Sequence, residues 1–194
     1  LIGLVGSEMC IRDRSLIVGC YSNLKNIYNT TTYQIFTQQG TDVFTQNYPT
    51  EVAAMNQYTT TYQSNNGTIY AMWSSYFNAL NNVNAAIDRS KSVILKTDDP
   101  DGIEPSALTQ LVAEAKALRA WYLFEIVRNW GQGPLKINES KEPSYTVEYS
   151  NGAAFYQQIF TDLEEAISVL PWRQTGSNYG RCLLYTSPSP RDRS

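Results

Sequence analysis

Histidine is absent from all 194 residues. That absence removes histidine triads, cysteine–histidine dyads, histidine metal sites and histidine general bases from consideration. Phosphate-binding glycine loops are missing too: Gly131-Gln132-Gly133 lacks the third glycine of a dinucleotide fingerprint and follows an apolar helical pattern instead of opening one. No apolar run approaches the ~18 residues of a membrane-crossing helix. Basic residues do not dominate, with 15 Lys and Arg against 18 Asp and Glu. A nucleic-acid partner, which needs a basic stripe, is therefore not expected.

Cysteine is scarce, and scarcer than its count of three. Cys182–Asp192 (CLLYTSPSPRD) and Leu4–Asp13 (LVGSEMCIRD) are encoded by the two strands of one DNA stretch, which resembles a transposase adaptor used to prepare sequencing libraries. Residues 1–14 and 182–194 are accordingly expected to be adaptor-derived and are set apart from fold reasoning. Their removal takes Arg12, Arg14, Arg191 and Arg193 from the basic residues and Glu8, Asp13 and Asp192 from the acidic ones, leaving 11 and 15, net −4. The remaining piece, 15–181, has 167 residues, enough for one domain with a core. Only Cys20 survives in it, so no disulfide framework exists there. Cys20 is expected to be a small core residue rather than a nucleophile or a lipid-attachment site.

What is present is helical periodicity. Through Ala113–Leu135 and the residues just before it, Leu108, Leu111, Ala115, Leu118, Tyr122 and Ile126 recur every three or four residues, and Val112, Leu123, Val127 and Trp130 form a second stripe. Two stripes predict a helix with neighbours on more than one side. Gly131, Gly133 and Pro134 stop it. Ser15–Tyr28 reads as a helix with Leu16, Val18, Tyr21, Leu24 and Ile27 inward. Ile69–Lys91 reads as another, through Trp73, Tyr76, Phe77, Leu80, Val83, Asn84 and Ile87, with cap chemistry in Asn66-Gly67-Thr68. A last helix spans Asn151–Leu170, capped by Ser150 or Asn151, with Phe155, Ile159, Leu163, Ala166, Ile167 and Leu170 on one side and Pro171 beyond. Between these lie a Thr/Asn/Gln/Tyr-rich stretch at 29–68, mostly loop with a candidate helix at Glu51–Tyr62, and a polar connector, Lys136–Ser150.

Carboxylates offer little catalytic promise. Glu164 and Glu165 are neighbours that point apart on a helix, and Glu114 and Glu125 are three turns apart on a packed one, so solvated or ion-paired roles are expected for all four. Asp98-Asp99-Pro100-Asp101-Gly102 lacks the ligand spacing of a calcium loop and reads as a turn. Arg119 and Arg128 are expected to pair with carboxylates between helices, because buried charge needs a partner.

Three stretches together carry a family resemblance. They are Ala113-Glu114-Ala115 with Leu118-Arg119-Ala120, an aromatic cluster and Gly131-x-Gly133-Pro134-Leu135; Asn84-Ala85-Ala86-Ile87-Asp88; and Tyr156-x-x-Ile159-x-x-Asp162-Leu163 with Ala166 and Leu170-Pro171. With Tyr179-Gly180-Arg181 they resemble the N-terminal part of the SusD/RagB family, outer-membrane nutrient-binding lipoproteins of Bacteroidetes-type bacteria. The resemblance implies a mainly α fold of tetratricopeptide-like helical hairpins with long loops, in a protein about three times longer. No clean 34-residue repeat is visible, so that architecture comes from the resemblance.

The implied function is non-catalytic capture of glycan oligomers at the cell surface and delivery to a TonB-dependent, SusC-like transporter, with no cofactor and no metal. Peptide capture, as in RagB-like members, is the alternative within the family. A helical-repeat scaffold for protein partners is the alternative outside it, and a glycoside hydrolase comes third. Sugars are held by aromatic faces with amides and carboxylates for the hydroxyls. On that chemistry Asp42, Tyr62, Asn65, Asn66 and Trp73 are the candidate ligand-binding residues, against ordinary core, cap and loop roles for each.

Overall fold

The computed structural model describes residues 3–38, 40–42, 66–94, 105–142 and 146–171, with side-chain surroundings for 15–38, 40–42, 66–90, 108–142 and 146–171. The expected helix at 51–62 and the turn at 98–102 lie outside the described residues. Five helices follow in order among those described: α1 (Gly3–Tyr28), α2 (Thr31–Gln38), α3 (Gly67–Ile94), α4 (Pro105–Trp130) and α5 (Gly152–Ile167). The fold is thus mainly α, and no described helix is long and apolar enough to cross a membrane. The chain divides into two compact units, Leu1–Cys20 with Leu80–Ser194, and Tyr21–Ala79.

In the first unit, α4 is the centre. Leu108, Leu111, Ala115, Leu118, Tyr122 and Ile126 are all buried, and so are Leu123 and Val127 of the second stripe. Each large side chain so placed stabilises the fold by about 1.5–3 kcal/mol relative to exposure. Two faces of α4 are therefore committed, as the double stripe requires. One meets α1, where the Tyr122 hydroxyl donates to the Cys20 carbonyl at 3.2 Å. Helix α4 also meets α5, through a cluster of Ala113, Ala166 and Leu170 with Ala117 against it. Small side chains let the two helix backbones approach closely along this seam.

The turn between α4 and α5 follows from two glycines. Gly131 has φ +75°, the left-handed conformation that closes a helix at low cost, and its N–H reaches the Val127 carbonyl at 2.8 Å. Gly152 opens α5, where a Cβ would lie 3.4 Å from the Gly131 carbonyl oxygen and 3.5 Å from Val127 Cγ2. Asn151 supplies the cap of α5, its side-chain oxygen accepting from the Ala154 N–H at 3.1 Å. An antiparallel bridge, Gly133 with Ser150, ties the two ends of the connector together.

The expected inward faces need correction at both ends of the chain. In α1, Ile27 is buried and Leu16, Tyr21 and Leu24 are half-buried as expected, but Val18 is exposed and Ile17 is buried beside it. In α5, Phe155, Ile159, Ala166 and Leu170 are buried, but Leu163 and Ile167 are exposed. The helix also ends at Ile167, and a hydrogen-bonded turn carries the chain on to Leu170.

In the second unit, the stretch expected to be loop contains α2. Thr30 starts it: its hydroxyl accepts from the Tyr33 N–H at 3.1 Å and donates to the Ile27 carbonyl at 2.8 Å. That joint lets one threonine finish α1 and cap α2, and Tyr28 packs edge-on against Tyr33 at 4.5 Å. Gly40, with φ +80°, follows the end of α2.

Candidate functional site

The five candidate binding residues fall unevenly. Tyr62 and Asn65 lie outside the described residues. Asp42 is exposed, two residues past Gly40. Asn66 is buried and caps α3, its side-chain oxygen accepting from Thr68 N–H at 3.0 Å and Ile69 N–H at 3.4 Å. Trp73 is half-buried two turns further along α3, with its ring 4.5 Å from that of Phe77 at 39°. Asn66 and Trp73 are seven residues apart, so they share one side of the helix. The cap engages the Asn66 oxygen, which leaves the Trp73 ring and the Asp42 carboxylate as the chemistry suited to a sugar face and its hydroxyls.

The most elaborate polar arrangement in the first unit was only partly anticipated from the sequence. Arg119 of α4 meets Asp162 of α5 through two hydrogen bonds, Nε to Oδ2 at 2.7 Å and Nη2 to Oδ1 at 2.5 Å. Its remaining nitrogen, Nη1, donates to the Ile137 carbonyl at 2.8 Å and to Asn84 Oδ1 at 3.4 Å. Gln158, one turn earlier on α5, donates to Asp162 Oδ1 at 3.0 Å. The guanidinium fork and the carboxylate are matched in shape, so burial is offset by charge-assisted bonds.

Asn84 of α3 extends the arrangement into the connector. Its amide nitrogen donates to the carbonyls of Lys136 at 3.0 Å and Asn138 at 3.3 Å. One turn to either side, Asn81 exchanges two bonds with Ser140 (2.7 and 3.2 Å), and Asp88 accepts from the Glu139 N–H at 2.8 Å. Arg89 then pairs with the Glu139 side chain at 2.5 Å. The hydrogen bond and charge of Arg89 hold the Glu139 carboxyl below its ordinary value, and Lys141 adds to the same pull. The asparagines that make α3 a poor helix by intrinsic preference thus read the backbone of residues 136–140. Only their concentration on one helix signalled this in the sequence.

The other expected pairings are mixed. Arg128 pairs with Glu125, but within α4 at 2.9 Å rather than between helices, and it also lies over the Phe124 ring at 5.6 Å. Glu125 is ion-paired, one of the two roles expected for it, and buried; Glu114 is buried as well. Lys116 bonds Glu165 across the α4–α5 seam. Cys20 is buried as expected, and burial pushes its thiol up to about 11. Among the described residues no group of acidic and cysteine side chains is placed to hold a metal ion. The buried Asp162 and Glu125 carboxylates are each engaged by an arginine, an arrangement that builds a scaffold rather than a reacting pair.

Comparison with known proteins agrees with this architecture. A SusD-like family model, described as starch-binding and associating with the outer membrane, matches residues 14–190. The SusD-like protein P25 of Formosa agariphila is 27% identical over 129 residues, which cover 62% of this chain and 23% of that protein. The SusD superfamily protein of Bacteroides vulgatus superposes with a TM-score of 0.74 at 21% identity, over 89% of this chain and 36% of that one. A laminarin-binding SusD-like protein gives a TM-score of 0.68 at 21% identity, over 90% of this chain and 37% of that one. The chain therefore spans well under half the length of these relatives. With nearly its whole length matched and its helices superposed on those structures, the chain belongs to the SusD-like family.

Proposed function

We propose that this chain is the N-terminal helical part of a surface protein that binds glycan oligomers without transforming them and passes them to a SusC-like, TonB-dependent outer-membrane transporter. The observation that carries the reading is the family match over residues 14–190, whose description joins starch binding to the outer membrane. The laminarin-binding relative supports a glycan as the ligand class. The engaged state of Asp162 and Glu125 supports binding rather than hydrolysis, because a glycosidase needs two carboxyl groups open to the scissile bond.

In this reading Asp42, Tyr62, Asn65, Asn66 and Trp73 contribute to the ligand surface, and segments beyond this chain complete it. In this reading residues 1–14 and 182–194 are adaptor-derived.

Sequencing the parent DNA outward from both ends tests the assignment. The expected result is a lipoprotein signal upstream, a frame continuing downstream, and a TonB-dependent receptor gene beside it. Co-purification of the complete protein with that receptor from outer membranes tests delivery. A complete protein that retains some other protein partner and neither receptor nor glycan would favour the scaffold reading. Peptide retention in place of glycan would favour the RagB-like one.

A further inference from the structure

Tyr70, four residues into α3, leaves 67% of its surface exposed, more than any other large apolar or aromatic side chain among the described residues. Its backbone is nevertheless well anchored. The Tyr70 N–H donates to the Asn66 carbonyl at 2.9 Å, and the Asn66 side chain caps the two residues before it, Thr68 and Ile69. A tyrosine carried on a capped helix start has only two side-chain torsions left to fix, so it gives up little freedom on meeting a ligand.

The surroundings of Tyr70 differ on its two sides. Taking about 100° per residue, Phe77 and Trp73 lie about 20° and 60° to one side of it around the helix axis. Both are half-buried, and their rings pack 4.5 Å apart. Ser74, Gly67 and Asn78 lie about 40°, 60° and 80° to the other side. Helical side chains lean toward the preceding turn, and the residue one turn back here is Gly67, which has no side chain to crowd a ring.

Tyr70 is thus the outermost aromatic of α3, at the border where the surface turns small and polar. A face built to receive another helix would continue apolar past this point, and this one does not. A ring in such a place offers an apolar face with a hydroxyl and an amide beside it. That combination suits a pyranose, whose C–H face lies on an aromatic ring while its hydroxyls take hydrogen bonds.

We propose that Tyr70 is a stacking platform for a sugar ring on the ligand surface of the complete protein, with Ser74 and Asn78 beside it for the hydroxyls. The proposal rests on the glycan-binding reading above and adds a residue to the five candidates of that surface. Tyr70 and Trp73 are three residues apart, about 5–6 Å between their Cβ atoms, so the two rings serve one oligomer together.

Tyrosine nitration and calorimetry on the complete parent protein test this, with laminarin and starch oligosaccharides as the probes. Tyr70 is expected to react with tetranitromethane in the glycan-free protein and to be protected by saturating oligosaccharide, with modification read peptide by peptide. Buried Tyr122 should stay unreactive in both. Tyr70→Ala should weaken binding about tenfold, and Tyr70→Phe, which keeps the ring, by less than about threefold. Both variants should keep the parent melting temperature. Unchanged binding in Tyr70→Ala overturns the proposal and leaves the glycan reading standing. Tyr70 that is already protected without glycan, or a Tyr70→Ala variant that melts well below the parent protein, makes the ring a packing residue and overturns it as well. A complete protein that binds neither oligosaccharide removes the ligand and ends both readings.

Discussion

Arg119 and Asp162 are 43 residues apart in sequence and joined by two hydrogen bonds, with their side chains only 7% and 1% exposed. The pair fixes α5 against α4 at the level where α3 and the connector also converge. Removing one partner strands the other. Asp162→Ala should therefore cost about 3–5 kcal/mol, because the guanidinium is left buried and uncompensated. Arg119→Met with Asp162→Leu, which removes both charges, should cost much less. Urea denaturation of the two variants checks this. A single variant as stable as the parent chain would show that the pair does not hold the seam.

Asn84 is expected to act on the connector rather than on the ligand. Asn84→Ala removes the donor to the Lys136 and Asn138 carbonyls, which water can reach, at about 0.5–1.5 kcal/mol per hydrogen bond lost. Hydrogen exchange should quicken at the Glu139 and Ser140 amides, whose acceptors are Asp88 and Asn81. Unchanged exchange there would mean that the connector is held by other contacts.

The Arg89–Glu139 pair gives stability an acid limb. The Glu139 carboxyl is held below its ordinary 4.5, chiefly by the Arg89 hydrogen bond, so on acidification the unfolded chain takes up this proton before the folded one. The pair's contribution is present above about pH 4.5 and is lost as pH falls through the lower folded value. Glu139→Gln should flatten that part of the stability profile and leave the neutral region nearly unchanged. A variant whose acid limb overlays that of the parent chain would contradict the assignment.

Cys20 should be a poor nucleophile. Burial raises its thiol from 9.0 to about 11, which lowers the thiolate fraction about a hundredfold at neutral pH. Alkylation of Cys20 should be slow in the folded chain and fast in urea. Because its folded value is raised, its contribution to stability is present below about pH 9 and declines as pH rises towards 11. Cys20→Ala should remove that decline. Rapid labelling under native conditions would place Cys20 at the surface.

These contacts also show what periodicity can and cannot convey. Leu118, Tyr122 and Ile126 were legible because a helix that is apolar on two sides has few options, and all three are buried. Leu163 and Ile167 continue the spacing equally well yet are exposed, since spacing marks a face that wants a neighbour without naming one. Helix α2 was hidden because its eight residues, TTYQIFTQ, are too few to carry a clear pattern, and the Thr30 cap that starts it is a single side chain. Arg128 chose a carboxylate one turn away on its own helix, a partner that sequence ranks no higher than one on another helix. For the ligand surface, sequence offered residue types only. Asn66 caps α3, as its turn chemistry indicated, and Trp73 packs against Phe77.

The most direct test of the account is to titrate the complete parent protein with laminarin and starch oligosaccharides by calorimetry, following reducing sugar in the same samples. The account predicts saturable heat of binding, no release of reducing ends, and weaker binding in Trp73→Ala. Reducing sugar that accumulates with time, or no binding to any glycan while a peptide or protein partner is retained, would contradict it.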